Sequence, residues 1–286
     1  MTLPASANAH PPAPPTPPSP QRPQAPQQPA SPAQSPITFA LWLRSAAYMA
    51  WLIVTVIPIG TAAVLMSIAV RGTPLYRLCM VWVKLTLWGA RVICGMQSRV
   101  QGMEHLPDGP LILLAKHQSA WETLALPVLM PRPLSFVFKR ELLYVPFFGW
   151  ALGRLDMVHI DRGRPAEAFA KVEKQGAALL QRGNWIIMFP EGTRTERGTQ
   201  GKYRLGGAKL AVATGAPVVP IAVTSGRCWP RQAFIKRPGI IDLSIGEPIA
   251  SMGRNPADLM ADVETWIEAE MRRLDPQAYA TSVQQR

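Results

Sequence analysis

The chain has 286 residues, a formal net charge of +12 and a hydrophobic content of 48%. That length holds one ordinary domain plus a membrane element. The three cysteines, Cys79, Cys94 and Cys228, are odd in number and widely spaced. They imply neither a disulfide framework nor a metal site, which makes a reducing compartment the default.

Residues 1–36 carry 13 of the 30 prolines and one strongly ionisable side chain, Arg22. Such a segment buries too little apolar surface to offset its ordering entropy, so it reads as a disordered, polyproline-like tail. It lacks the basic start and apolar run of a secretory signal. Ser45 to Val70 then run 26 residues without a charge, bracketed by Arg44 and Arg71. About 20 apolar residues suffice to cross a bilayer core, so this segment can span. Pro58 and Gly60 sit at its middle, where a kink or a re-entrant hairpin is tolerable only if the freed backbone groups find partners, so crossing and dipping both stay open. From Tyr76 to Met96, Arg77, Lys84 and Arg91 recur every seventh residue among Leu, Val and Trp. That spacing puts the cations on one helix face. Such a helix either lies at the headgroup level or docks on a soluble domain.

Beyond Val100 the pattern alternates. Short apolar runs predict strands over 110–115, 134–138, 185–189, 218–223 and 240–245. Helical patterns occupy 119–130, 166–181, 202–214 and 256–274. The alternation predicts an α/β domain over 97–286, with a largely parallel central sheet flanked by helices, preceded by membrane-associated helices over 37–96.

Two strings carry the chemistry. KHQSAWE, Lys116 to Glu122, follows a predicted strand and opens a predicted helix. Ser119 and Glu122 fit a capping box, in which the carboxylate serves only the helix start. The alternative is chemical: His117 outside the helix can meet Glu122, and a carboxylate-held imidazole can take a proton from a hydroxyl. No G-x-S-x-G elbow is present, and no cysteine shares the motif. Direct attack by a substrate alcohol is therefore preferred to an acyl-enzyme. FPEGTRT, Phe189 to Thr195, also ends a predicted strand. Gly192 permits close backbone approach, Thr193 and Thr195 offer hydroxyls, and Arg194 offers a fork for phosphate. A plain surface turn with a Glu191–Arg194 ion pair would use the same residues. Further cations at strand ends are Arg162, Lys139 and Arg140, and His159 reads as structural. Thirteen Lys/Arg against seven Asp/Glu fall between Arg132 and Arg204. This balance suits anionic lipids or phosphorylated substrates. Zinc spacing, an RNP-like string and a basic heptad helix are all missing, which argues against nucleic acid.

With these motifs in order, residues 75–250 resemble the 1-acyl-sn-glycerol-3-phosphate acyltransferases, the bacterial lysophosphatidic acid acyltransferases of the glycerolipid acyltransferase superfamily. The family's His and acid, separated by four residues, match His117 and Glu122. Its second motif matches Val158 to Arg162, its F-P-E-G-T-R matches Phe189 to Arg194 without change, and its Pro-centred apolar run matches Val218 to Val223 around Pro220. Glu122 departs from the family's usual Asp. The resemblance implies transfer of a fatty acyl group from acyl-CoA or acyl carrier protein to the sn-2 hydroxyl of 1-acyl-glycerol-3-phosphate, giving phosphatidic acid. It implies His117 as general base with Glu122, and Arg162, Glu191, Gly192, Thr193 and Arg194 as glycerol-phosphate contacts, with Lys139 and Arg140 as further basic contacts. It implies no metal and no cofactor, and membrane lipids as surroundings; the lack of disulfide-like cysteines and the location of acyl donors add the expectation of a catalytic domain facing the cytoplasm from the inner membrane. Rival readings are an acyltransferase for a lyso-ornithine lipid or another lysophospholipid, a lipid A late acyltransferase, and a non-catalytic membrane scaffold.

Overall fold

The computed structural model describes residues 36–161 and 163–280. The tail expected over 1–36 lies, but for Pro36, outside the described residues. Two long helices come first. Helix α1, Phe39–Met66, starts on the Thr38 side chain, which accepts the Leu41 N–H at 3.2 Å. It continues through Pro58 as one helix. Gly60 serves contact: a Cβ there would meet Phe147 at 2.9 Å. Helix α2, Thr73–Cys94, has proline in its first turn and ends on Gly95 at φ 72. It runs back along α1. Trp51 Nε1 donates to the Leu85 carbonyl at 2.9 Å, and Arg44 Nε donates to the Ile93 carbonyl at 2.6 Å. Arg77, Lys84 and Arg91 are all exposed on α2, as their spacing requires.

The rest is an α/β sandwich. In chain order it comprises β1 (Met96–Gln101), β2 (Ile112–Ala115), α3 (Trp121–Leu129), β3 (Leu134–Lys139), α4 (Phe148–Leu152), β4 (Val158–Ile160) and α5 (Pro165–Gln181). Then follow β5 (Trp185–Met188), α6 (Gly206–Thr214), β6 (Val218–Val223), β7 (Gly239–Ile245), α7 (Pro256–Leu274) and the short α8 (Pro276–Tyr279). The seven strands lie in the order β1-β7-β6-β2-β5-β3-β4, and every neighbouring pair is parallel except β6–β7. The sheet is thus largely parallel, as expected, with β7 and β1 reversed. Strand β1 was not expected. Its sequence, MQSRVQ, is mostly polar because it is an exposed edge strand with little apolar alternation.

Alternation along the strands builds two cores. Leu113, Ile187, Val219 and Ile221 pack with Ala90 and Cys94 of α2 and Trp121, Ala125 and Leu126 of α3. Ile112, Leu114, Ile186 and Val218 pack with Val172 and Leu179 of α5, Leu210 of α6, and Leu259, Val263 and Ile267 of α7. Both faces of β2 and β5 are covered, which explains why these strands read as unbroken apolar runs.

Candidate active site

Strands β2 and β5 are neighbours in register, with Leu114 opposite Met188. Their carboxyl ends therefore bring residues 116–122 beside residues 189–195, although about 70 positions separate them in sequence. Crevices at the carboxyl ends of strands are where open α/β sheets place ligands.

His117 sits in the turn between β2 and α3. Its Nδ1 lies 2.8 Å from Glu122 Oε1. The same oxygen accepts the backbone N–H groups of Gln118 at 2.8 Å and Ser119 at 2.7 Å. The chain is thus wrapped around a fully buried carboxylate, 0% exposed. This is half of the expected capping box. The carboxylate does reach back, but the Ser119 hydroxyl accepts the Trp121 N–H at 2.9 Å, and α3 starts at Trp121 rather than at Ser119. The helix opens after the turn in which Gln118 and Ser119 share Glu122 Oε1. The glutamate's extra methylene is accommodated, since Glu122 meets the imidazole from the second position of the helix. With Nδ1 engaged, Nε2 is the ring nitrogen left for chemistry. Phe189 stacks on the imidazole, with ring centroids 4.0 Å apart and planes 16° from parallel, which fixes the ring plane.

The turn after β5 is fastened to the histidine through the backbone. Thr195 donates its N–H to the His117 carbonyl at 2.8 Å, and its hydroxyl donates there at 3.1 Å. Gly192 has φ 69, a conformation that a side chain strains, and a Cβ there would meet Arg204 Nε at 2.9 Å. Thr193 is exposed and Arg194 half-buried, its Nε buried without a hydrogen-bond partner. Glu191 behaves otherwise than a phosphate contact would. Its side chain is fully buried, and it accepts from Lys116 Nζ at 2.7 Å, the His117 N–H at 3.0 Å and the Gly201 N–H at 3.1 Å. A carboxylate engaged inward in this way holds the loop and offers nothing to an anion. The alternative turn with a Glu191–Arg194 ion pair is likewise absent.

Arg162 lies outside the described residues. Lys139 and Arg140 end β3 at the same edge of the sheet. Lys139 pairs with Glu141 at 3.0 Å and Arg140 approaches Asp161 at 3.7 Å, all largely exposed. His159 Nε2 accepts from the Lys171 ammonium, Nζ lying 2.8 Å away. Burial first, and then Lys171 and Arg140, hold its pKa below the usual value. Among the described residues, no group of three or more His, Cys, Asp or Glu side chains is placed to hold a metal ion.

Sequence reasoning passed over four residues. Lys116 is fully buried, and a buried ammonium demands carboxylate partners. Phe189 was visible only as the last apolar residue before the turn. Arg204 becomes a neighbour of Gly192 only because its N–H returns to the Pro190 carbonyl at 2.9 Å. Glu268 on α7 gave no local signal.

Comparisons with known proteins bear on the family and the fold. The Acyltransferase family pattern matches residues 97–224. A 1-acyl-sn-glycerol-3-phosphate acyltransferase of Pseudomonas aeruginosa is 43% identical over 198 residues, covering 68% of this chain and 77% of the relative. The human 1-acyl-sn-glycerol-3-phosphate acyltransferase alpha is 28% identical over 197 residues, covering 68% of each chain. The crystal structure of the 1-acyl-sn-glycerophosphate acyltransferase of Thermotoga maritima shares the fold, with a TM-score of 0.69 at 23% identity over 82% of this chain and 95% of that one. With 43% identity to a relative of which it covers 77%, the chain belongs to the 1-acyl-sn-glycerol-3-phosphate acyltransferase family and is an acyltransferase.

Proposed function

We propose that the protein transfers a fatty acyl group from a thioester donor, acyl-CoA or acyl carrier protein, to the sn-2 hydroxyl of 1-acyl-glycerol-3-phosphate. The observation that carries this reading is the imidazole of His117, tied through Nδ1 to a buried carboxylate and bounded by the Arg194-bearing turn. His117 Nε2 takes the proton of the substrate hydroxyl as its oxygen attacks the thioester carbonyl. The new C–O bond forms, the C–S bond breaks, and the imidazolium returns the proton to the leaving thiolate. Glu122 fixes the tautomer and stabilises the imidazolium. Arg194, Thr193 and the Gly192 backbone, with Lys139 and Arg140 at the neighbouring strand end and with Arg162 by its place in the sequence motif, supply the cations and donors for the phosphate. Arg204 joins them through its place beside Gly192. No metal or cofactor enters these steps.

The protein works at a membrane surface, the catalytic domain facing the cytoplasm of the inner membrane. Helix α1 is long and apolar enough to cross a bilayer. It nevertheless lies along the domain. At one end Ser45 Oγ accepts the Lys236 N–H at 2.9 Å and Tyr48 meets Trp229 edge-on. At the other end Gly60 lies against Phe147. These contacts are about 22 Å apart along the helix at 1.5 Å per residue. A helix held at both points offers lipid a flank, where Ile53, Val54 and Ile57 are exposed.

The deciding experiment measures acyl transfer from labelled acyl-CoA and acyl carrier protein to lysophosphatidic acid, with wild type, His117→Ala and Glu122→Asp in parallel. Transfer by wild type that disappears in His117→Ala is expected. A folded wild type inert with both donors on this acceptor, yet active on a lyso-ornithine lipid, would overturn the choice of acceptor. Full activity in His117→Ala would overturn the base.

A further inference from the structure

Behind the histidine turn lies a buried set of charged groups. Lys116 Nζ donates to Glu191 Oε1 at 2.7 Å, to Glu268 Oε1 at 2.7 Å and to the Thr199 carbonyl at 3.1 Å. An ammonium has three donors, and all three are used. Tyr203 donates its hydroxyl to the same Glu268 oxygen at 2.9 Å. Burial, and then Glu268 and Glu191, push the Tyr203 phenol well above its usual pKa, so it stays a donor. The far oxygen of Glu191 accepts the His117 N–H. A continuous chain thus runs from Glu268 through Lys116 and Glu191 to the His117 backbone, with side-chain exposure of 3% or less at all three charged groups.

Strand geometry explains how these groups meet. Lys116 extends the β2 ladder, its N–H donating to the Ile221 carbonyl at 2.9 Å. Ile112 and Leu114 face the core beneath α7. Alternation therefore turns Lys116 toward α7 and His117 to the other side. Glu268 sits on α7, outside the residues 97–224 that carry the family pattern.

Burying two carboxyl groups with one ammonium costs desolvation that apolar residues would avoid. Packing alone does not require the set, and one end of it lies on the amide of the catalytic histidine. We propose that Glu268 is a positioning residue for acyl transfer, holding Lys116 and through it Glu191, so that the His117 turn keeps the imidazole at the reacting hydroxyl. The inference rests on His117 being the general base.

The test is steady-state kinetics on lysophosphatidic acid with the full chain, at a temperature where thermal unfolding shows every variant folded. The variants are Glu268→Gln, Lys116→Met, their double, and His117→Ala. Small misplacements of a reacting group can cost about 100-fold, so Glu268→Gln is expected to lower kcat by about 10- to 100-fold. KM for the acceptor should stay within about twofold, because the acceptor contacts are intact. The double variant should be no slower than Lys116→Met, because the two act through one path. Unchanged kcat in Glu268→Gln, with only the unfolding temperature lowered, would reduce Glu268 to a stabilising role. Independent, multiplying losses in the double variant would also overturn the proposal. If Glu268→Gln does not fold, Glu268→Asp carries the same test, since it keeps the charge and shortens its reach. Loss of activity in His117→Ala with an unaffected Glu268→Gln sinks this inference alone. Retained activity in His117→Ala sinks the base assignment beneath it.

Discussion

The imidazole of His117 is constrained on three sides: Glu122 at Nδ1, Phe189 across its face, and Glu191 and Thr195 on its backbone. Glu122→Gln keeps the size but loses the charge that holds the tautomer and supports the imidazolium. It is expected to cost ~10²- to 10⁴-fold in kcat, the usual worth of general-base help, with little change in KM. Single-turnover transfer would check this, since it isolates the chemical step. His159 offers a separate residue-level prediction. Its titration midpoint, followed by NMR, should fall below 6.5. Lys171→Met should raise it without restoring 6.5, because burial is the larger cause. A histidine depressed in this way favours folding above its unfolded pKa. That contribution is lost as pH falls through the folded value.

At the scale of elements, α6 shows how a functional loop displaces a helix boundary. Helical periodicity predicts a start at Lys202, yet α6 begins at Gly206. Residues 199–204 are otherwise engaged: Gly201 N–H on Glu191, the Tyr203 hydroxyl on Glu268, and Arg204 N–H on Pro190. The helix then packs closely on β2. A Cβ at Gly207 would meet Leu114 Cδ2 at 2.5 Å, so the fully buried Leu114 side chain or α6 itself would have to shift. Gly207→Ala should therefore destabilise the protein by ~1–3 kcal/mol, the usual cost of overpacking a core. Denaturant unfolding would measure it, with an unchanged or raised midpoint as the contrary result. Helices α5 and α7, by contrast, begin within one residue of their predicted starts. Proline in the first turn fixes both helix starts, and for α7 Asn255 adds a side-chain cap, accepting the Ala257 N–H at 2.8 Å.

For the whole molecule, α1 and α2 close one core of the domain, and α1 keeps an exposed apolar flank at Ile53, Val54 and Ile57. Orientation can be read by impermeant thiol labelling. The native Cys228 is unsuitable, because it is fully buried and burial pushes its thiol up to about 11. Lys174 on α5 is exposed. A Lys174→Cys variant should react in inverted membrane vesicles and stay protected in intact spheroplasts. Labelling from outside intact spheroplasts would reverse the assigned side.

Apart from the short or polar β1, β4 and α4, the sequence by itself determined strands β2, β3, β5, β6 and β7, helices α3, α5, α6 and α7, the apolar length of α1, the basic face of α2, and the His117–Glu122 pair. These are recorded locally: hydrophobic period reports burial, and a helix start brings residues five apart together when the first lies outside it. Tertiary structure alone decided that β2 and β5 are neighbours, that Glu191 turns inward, and that Lys116 is shared with Glu268 from 152 positions away. The physical reason is that a buried charge is matched by whichever distant groups the fold brings within hydrogen-bond reach. Strand pairing and helix docking choose those groups, and neither leaves a periodic trace in the chain.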